Sequence, residues 1–144
     1  MNLIAILADR IDDECKQNWF CHLLIQKTLI DKYFPWINCK IQGKLLSGSG
    51  TVEVAGLKYN VDISYSPFLN NRPDRIFVKG KNIKFDDRIH VYGDLSLCLY
   101  HPEYDRPLFS RVSLFQMVPW ISEWCVFYEE WKKYGVWLGK EIKH

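Results

Sequence analysis

The stretch from Leu57 to Tyr65 constrains this chain more than any other. Leu57, Tyr59, Val61, Ile63 and Tyr65 alternate with Lys58, Asn60, Asp62 and Ser64. A period of two puts the apolar side chains on one face of a strand and the polar ones on the other. Such a strand needs hydrogen-bonded neighbours and an apolar cover for its inner face. Candidate neighbours lie on both sides. Residues 41–54 are β-like, but Ser47-Gly48-Ser49-Gly50 interrupts them, so a bend or bulge is expected there. Gly56 marks the turn that follows. Ile76, Phe77 and Val78 read as a third short strand between Pro73-Asp74 and Gly80. Three successive strands with short turns predict an antiparallel meander.

The cover is helical. Over residues 12–32, Trp19, Phe20, Leu23, Leu24, Leu29 and Ile30 recur at spacings of three and four, with Lys16, Gln17, Gln26 and Lys27 between them. Asp12 or Asp13 is placed to cap the start, and Pro35 ends the helix. The helical period returns from Arg111. Trp120, Ile121, Trp124, Phe127, Tyr128 and Trp131 share one face, while Ser122, Glu123, Glu129, Glu130, Lys132 and Lys133 share the other. Gly135 fits a helix stop. The Trp-rich face reads as core first, with a partner-binding groove as the alternative. Helix, meander, irregular segment and helix make an α+β fold, its helices segregated from one antiparallel sheet. At 144 residues the chain is read as a single domain over 1–144.

Charge and cysteine usage exclude several classes. The formal net charge is only +2, from 19 Lys+Arg against 17 Asp+Glu, whereas a phosphate-driven nucleic-acid binder is more basic. The charge is uneven, with basic residues concentrated over 72–88 and acidic ones over 94–130, which can orient a protein partner. The cysteines are Cys15, Cys21, Cys39, Cys98 and Cys125, an odd set without a C-x-x-C pair. Neither a disulfide framework nor a zinc ribbon fits. The first residues lack a basic n-region and meet Asp9 at once, and no run approaches the roughly 20 apolar residues of a membrane span. The expected setting is the cytoplasm, with no membrane partner.

Residues 86–107 follow neither period, because Gly93, Asp94, Pro102 and Pro107 break both. A long ordered loop in a small domain is usually functional. This one carries Cys98 with His90 and His101 nearby. Cys15, Cys21, Cys39 and Cys125 sit in or beside regular elements and read as small buried hydrophobes. Cys98 can be one too, or it can be a nucleophile, which needs a stabilised thiolate or adjacent base and exposure. Cys98 and His101 also have C-x-x-H spacing, but no second pair follows at a zinc-finger distance, so no metal is expected. No Walker A, dinucleotide-glycine or G-x-S-x-G pattern occurs, so no cofactor is expected either.

The order of elements around Tyr92-Gly93-Asp94-Leu95-Ser96-Leu97-Cys98-Leu99 resembles ubiquitin-conjugating enzymes, whose His-Pro-Asn is followed by Gly-Ser-Ile-Cys-Leu or similar. Counted back from Cys98, His90 falls at the family's asparagine, and Arg88-Ile89 replace its His-Pro. The closer resemblance is to the bacterial branch of that fold found in CBASS anti-phage operons. The shared pattern reads His90-Val91-Tyr92, Ser96-Leu97-Cys98-Leu99-Tyr100, His101-Pro102, Pro119-Trp120, Glu123-Trp124, Phe127-Tyr128-Glu129-Glu130-Trp131 and Trp137-Leu138-Gly139. It covers about residues 36–144. Leu95 departs from it, standing where glycine is usual.

The resemblance implies a ubiquitin-conjugating-like fold and a stand-alone conjugating enzyme. Its partner would be a CD-NTase, a cGAS-related cyclic-nucleotide synthase. Cys98 would take the synthase's C-terminal glycine as a thioester and pass it on, priming the synthase for defence. A homodimer or a hetero-complex is compatible with this. The oxyanion of the intermediate needs a donor. His90 can supply an N–H in place of the family's asparagine, with a pH dependence asparagine lacks, or it can simply hold the loop. His101 can lower the Cys98 pKa or shuttle a proton, or be an exposed loop residue. Asp94 and Asp105 can orient an incoming lysine, but solvated turn carboxylates are the preferred reading. A non-catalytic binding module of the same fold is the first alternative. A cysteine hydrolase is the second, though no Cys/His/Asn or Cys/His/Asp protease signature is present.

Overall fold

The computed structural model describes residues 3, 10, 13–100 and 113–139. Helix α1 spans Trp19–Tyr33, strands β1 to β4 span Ile37–Gln42, Leu45–Val54, Leu57–Tyr65 and Asp74–Lys79, and helix α2 spans Leu114–Tyr134. The strands form one antiparallel sheet in the order β1-β2-β3-β4. This is the expected α+β meander, with one strand more than the sequence periods resolved. Among the described residues no helix is long and apolar enough to cross a membrane.

The alternation in β3 works as the sequence implies from Tyr59 onward, while Leu57, read on the same face, is exposed at the strand's start. Tyr59, Val61, Ile63 and Tyr65 are buried, and register pairs them with Val52, Gly50, Gly48 and Leu46 on β2. Ile37 and Cys39 on β1, with Asp74 and Ile76 on β4, complete that face. Burying each large side chain stabilises the fold by roughly 2–3 kcal/mol. Ala55 and Gly56 both take positive φ, 52° and 78°, which is the two-residue hairpin turn whose twist matches the strands.

The expected interruption at Ser47-Gly48-Ser49-Gly50 is absent. Strand β2 runs straight through it, and the turn lies earlier, at Gly43 with φ 59°. These glycines serve close approach instead. A Cβ on Gly50 would stand 2.2 Å from the Trp36 carbonyl oxygen, and one on Gly48 would stand 3.2 Å from the Cys39 Cβ.

Helix α1 follows a helical turn over residues 13–17 and a break at Asn18. Asp13 is therefore inside a helical turn rather than capping one, and Asp12 lies outside the described residues. The buried positions of α1 are Leu23, Gln26 and Ile30. Phe20 and Leu24, expected on the inner face, are exposed. Gln26, expected outside, accepts the Phe115 N–H at 2.9 Å and ties α1 to the first turn of α2. That first turn is a capping box. Ser113 Oγ accepts the Gln116 N–H, and the Gln116 side chain accepts the Ser113 N–H, both at 3.2 Å. Ile121, Trp124 and Tyr128 point inward as expected. Glu129, placed by its charge on the solvent face, is also buried, where it accepts the Tyr59 hydroxyl. Gly135, with φ 71°, ends the helix.

Candidate functional site

Residues 86–100, irregular in sequence, are tightly organised. Asp86 caps a 3₁₀ turn over Asp87–Ile89, and the Arg88 side chain and backbone N–H hold its carboxyl down to about 2. His90 then adopts a left-handed conformation, φ 55° and ψ 59°, which swings the chain into a short hairpin. Val91 and Leu97 form an antiparallel bridge. The Tyr92 N–H bonds Ser96 O at 2.9 Å, and the Cys98 N–H bonds His90 O at 2.9 Å. The hairpin's tip is a turn from Tyr92 to Leu95, where Leu95 has φ 70°. That is the position where the resembled pattern has glycine, and the left-handed φ explains the preference.

The hairpin is fastened on two sides. Its Leu97 N–H donates to Ile76 O on β4 at 2.8 Å. The Trp124 indole N–H from α2 reaches Ile89 O at 2.9 Å and His90 O at 3.2 Å. The His90 ring packs on Trp137, with centroids 5.0 Å apart. The Trp-rich face of α2 is core, as read first, and it has a role the sequence did not suggest. It fills the core, and it grips the loop that carries the cysteine.

Behind the hairpin lies a polar cluster that sequence reasoning missed. The Arg72 guanidinium stacks 3.4 Å over the Tyr92 ring and donates to Ser96 Oγ. It faces Asp74 and Asp94 at 3.9 Å each. The Tyr100 hydroxyl donates to Asp74 at 2.7 Å. Burial pushes the Asp74 carboxyl up, against the opposing pull of Tyr100, Arg72 and Arg75. Burial likewise pushes the Tyr100 phenol up, with the Asp74 charge adding to it. Asp94 is a half-exposed turn carboxylate, in line with its preferred reading. Burial works against its charge, but bonds from the Ser96 hydroxyl and N–H, with Arg72 and Arg75, hold its pKa below the ordinary value. In sequence, Pro73-Asp74 looked like punctuation before a strand. The only signal was a tyrosine two residues after Cys98, where a buried hydroxyl needs a partner.

Of the sequence-predicted site residues, Cys98 and His90 are brought together as opposed residues of one hairpin. His101 and Asp105 lie outside the described residues. Cys98 is 3% exposed, less than a nucleophile was expected to be, and its thiol donates to Tyr100 O at 3.5 Å. The other cysteines divide. Cys39 and Cys125 are buried as expected. Burial raises Cys39 to about 11, helped by the Asp31 carboxylate, and raises Cys125 to about 12. Cys21 is exposed, and Cys15 is half-buried with its sulphur 3.8 Å from His22 Nδ1. For Cys21 the buried-hydrophobe reading is wrong, because it shares with Phe20 and Leu24 the exposed face of α1; Cys15 is only partly covered, beside a His22 whose Nε2 lies 2.9 Å from the Tyr65 hydroxyl.

The family model for the Type II CBASS E2 protein matches residues 26–144. The chain belongs to that family. Neither a curated protein nor a solved structure matches it. As a CBASS E2 protein it has a role in CBASS defence and associates with other CBASS components. The matched segment contains the sheet, the Cys98 hairpin and α2, and its family name points to conjugating activity.

Proposed function

We propose that this CBASS E2 protein is a thioester-forming acyl transferase, a single ubiquitin-conjugating-like domain over 1–144 that works in the cytoplasm. Cys98 captures the C-terminal glycine of a CD-NTase and passes it on. The observation that carries this reading is the bond from Cys98 N–H to His90 O, which sets the cysteine and its candidate partner opposite each other in a braced hairpin. The Cys98 thiolate attacks the carbonyl carbon of a terminal glycine already activated elsewhere. A C–S bond forms and the activating group departs. An amine or water then attacks the thioester carbon, and Cys98 leaves as thiolate.

The hairpin narrows who can hold the oxyanion. The N–H of Cys98 is committed to His90 O and that of Leu97 to Ile76 O, so these amides do not form the oxyanion hole familiar from serine hydrolases. In this reading a side chain serves instead, and His90 is the candidate. His101 is the candidate proton shuttle.

The test mixes the full chain with its CD-NTase in cell extract and resolves the products on a non-reducing gel. A covalent adduct is expected that collapses with added thiol and is lost completely in Cys98→Ala. No adduct, together with a Cys98 inert to alkylation, would sink the reading. The burial of Cys98 favours one alternative, a module that holds the synthase without covalent chemistry. Binding and signalling retained in Cys98→Ser would support it.

A further inference from the structure

The Tyr92 hydroxyl donates to the Tyr100 carbonyl oxygen across a long 3.4 Å bond. The Cys98 thiol donates to the same oxygen at 3.5 Å. Two donors therefore converge on one acceptor, which places the phenol beside the sulphur. That arrangement suits a thiol and not a thiolate. A thiolate can only accept, and the carbonyl oxygen then repels it. Among the described residues, the Tyr92 hydroxyl is a donor placed to turn to it.

The surroundings hold Tyr92 for this exchange. The Arg72 guanidinium lies 3.4 Å over its ring, and its backbone N–H is fixed to Ser96. Tyr100, whose carbonyl is released, is pinned by its hydroxyl to Asp74. Burial first, and the adjacent Cys98 sulphur next, push the Tyr92 phenol far above its ordinary value, which favours its protonated, donating form. Among the described residues, the charged and titratable groups facing the pair are Arg72 before β4, Asp74 at its start, His90 across the hairpin and Tyr100 after it.

We propose that Tyr92 is a further catalytic residue, whose phenolic hydroxyl donates a hydrogen bond to the Cys98 sulphur whenever that sulphur carries negative charge. This happens first in the free thiolate, after its proton has gone to solvent. It happens again when the thioester collapses and the sulphur leaves. The proposal rests on the reading of Cys98 as nucleophile, but its test does not.

The experiment is a pH titration of the full chain labelled at cysteine ¹³Cβ, read by NMR, with the Cys98 signal assigned by its loss in Cys98→Ala. It needs neither partner nor reagent access. In Tyr92→Phe, which keeps the ring under Arg72, the Cys98 pKa is expected to rise by about one unit, which is about tenfold less thiolate near neutrality. The Cys39 and Cys125 signals should not move, and hydrogen exchange at the Cys98 N–H should stay as slow as in the parent. An unchanged Cys98 pKa overturns the proposal, and so does a shift accompanied by faster exchange, which marks a loosened hairpin. If Tyr92 fails alone, the thiol-labile adduct still depends on Cys98. If the acyl-transfer reading fails alone, the adduct is missing but Tyr92→Phe still shifts the Cys98 titration.

Discussion

The molecule contains two hairpins built on opposite plans. The β2–β3 hairpin is long and regular, with a left-handed two-residue turn at Ala55-Gly56 and one continuous apolar face. The hairpin over residues 90–98 has one bridge, a left-handed entry at His90 and a left-handed tip at Leu95. It stands because remote groups hold it: Ile76 O, the Trp124 indole, Arg72 on Tyr92 and Ser96, and Asp74 through Tyr100. The first hairpin is stabilised by burial, which is diffuse and cooperative. The second buries Val91 and Leu97 as well, but depends in addition on a few directional bonds, each hard to replace. The lesson is that the candidate site adds directional bonds to the burial it shares with the rest of the fold, so the two should fail differently.

The largest expected effect falls on the regular hairpin. Gly50→Ala would drive a Cβ to 2.2 Å from the Trp36 carbonyl oxygen, a backbone atom that cannot step aside. A loss of about 4 kcal/mol in urea unfolding is expected, shared by the whole protein. A loss below 1 kcal/mol would show that β1 and β2 can separate freely, and the contrast would weaken.

The second test is on the polar side. Asp74→Ala leaves the Tyr100 hydroxyl and the Arg72 guanidinium without their buried carboxylate, a change expected to cost about 3 kcal/mol. Its signature should be local. Hydrogen exchange at the Leu97 and Cys98 amides should accelerate more than exchange in β3. Uniform acceleration would merge the two plans into one.

The smallest effect has the opposite sign. Leu95 is held at φ 70°, a conformation that costs a residue with a Cβ roughly 1–2 kcal/mol, part of which glycine would regain. Leu95→Gly is expected to stabilise by about 1 kcal/mol in thermal or urea unfolding. A destabilisation would mean that the leucine side chain contributes more at the tip than its turn costs.

The same contrast decides what was legible in the sequence. Strand β3 and helix α2 bury one face by a simple period, so Tyr59, Ile63, Trp124 and Tyr128 were placed correctly from spacing alone. Cys98 and His90 were legible because their residue types are chemically unusual in one loop. What failed was whatever depends on a partner far along the chain. Gly48 and Gly50 looked like a bend because their reason is Trp36 and β1. Gln26 and Glu129 looked solvent-facing because their reasons are the Phe115 N–H and the Tyr59 hydroxyl. Arg72 read only as part of a basic stretch and Asp74 only as a strand boundary, because Tyr92, Ser96 and Tyr100 follow much later. Phe20 and Leu24 fit the helical period but not the face that packs.

On the proposed acyl-transfer reading, the 3% exposure of Cys98 carries a consequence for selectivity. A recessed sulphur discriminates by cross-section before it discriminates by chemistry. An acyl terminus that ends in glycine brings no side chain next to the carbonyl, so it can thread to the sulphur as bare backbone. A terminus with a branched or bulky last residue would be stopped short by its own width. On that reading the depth of the cysteine would act as a gauge, and a C-terminal glycine would be the end that passes it.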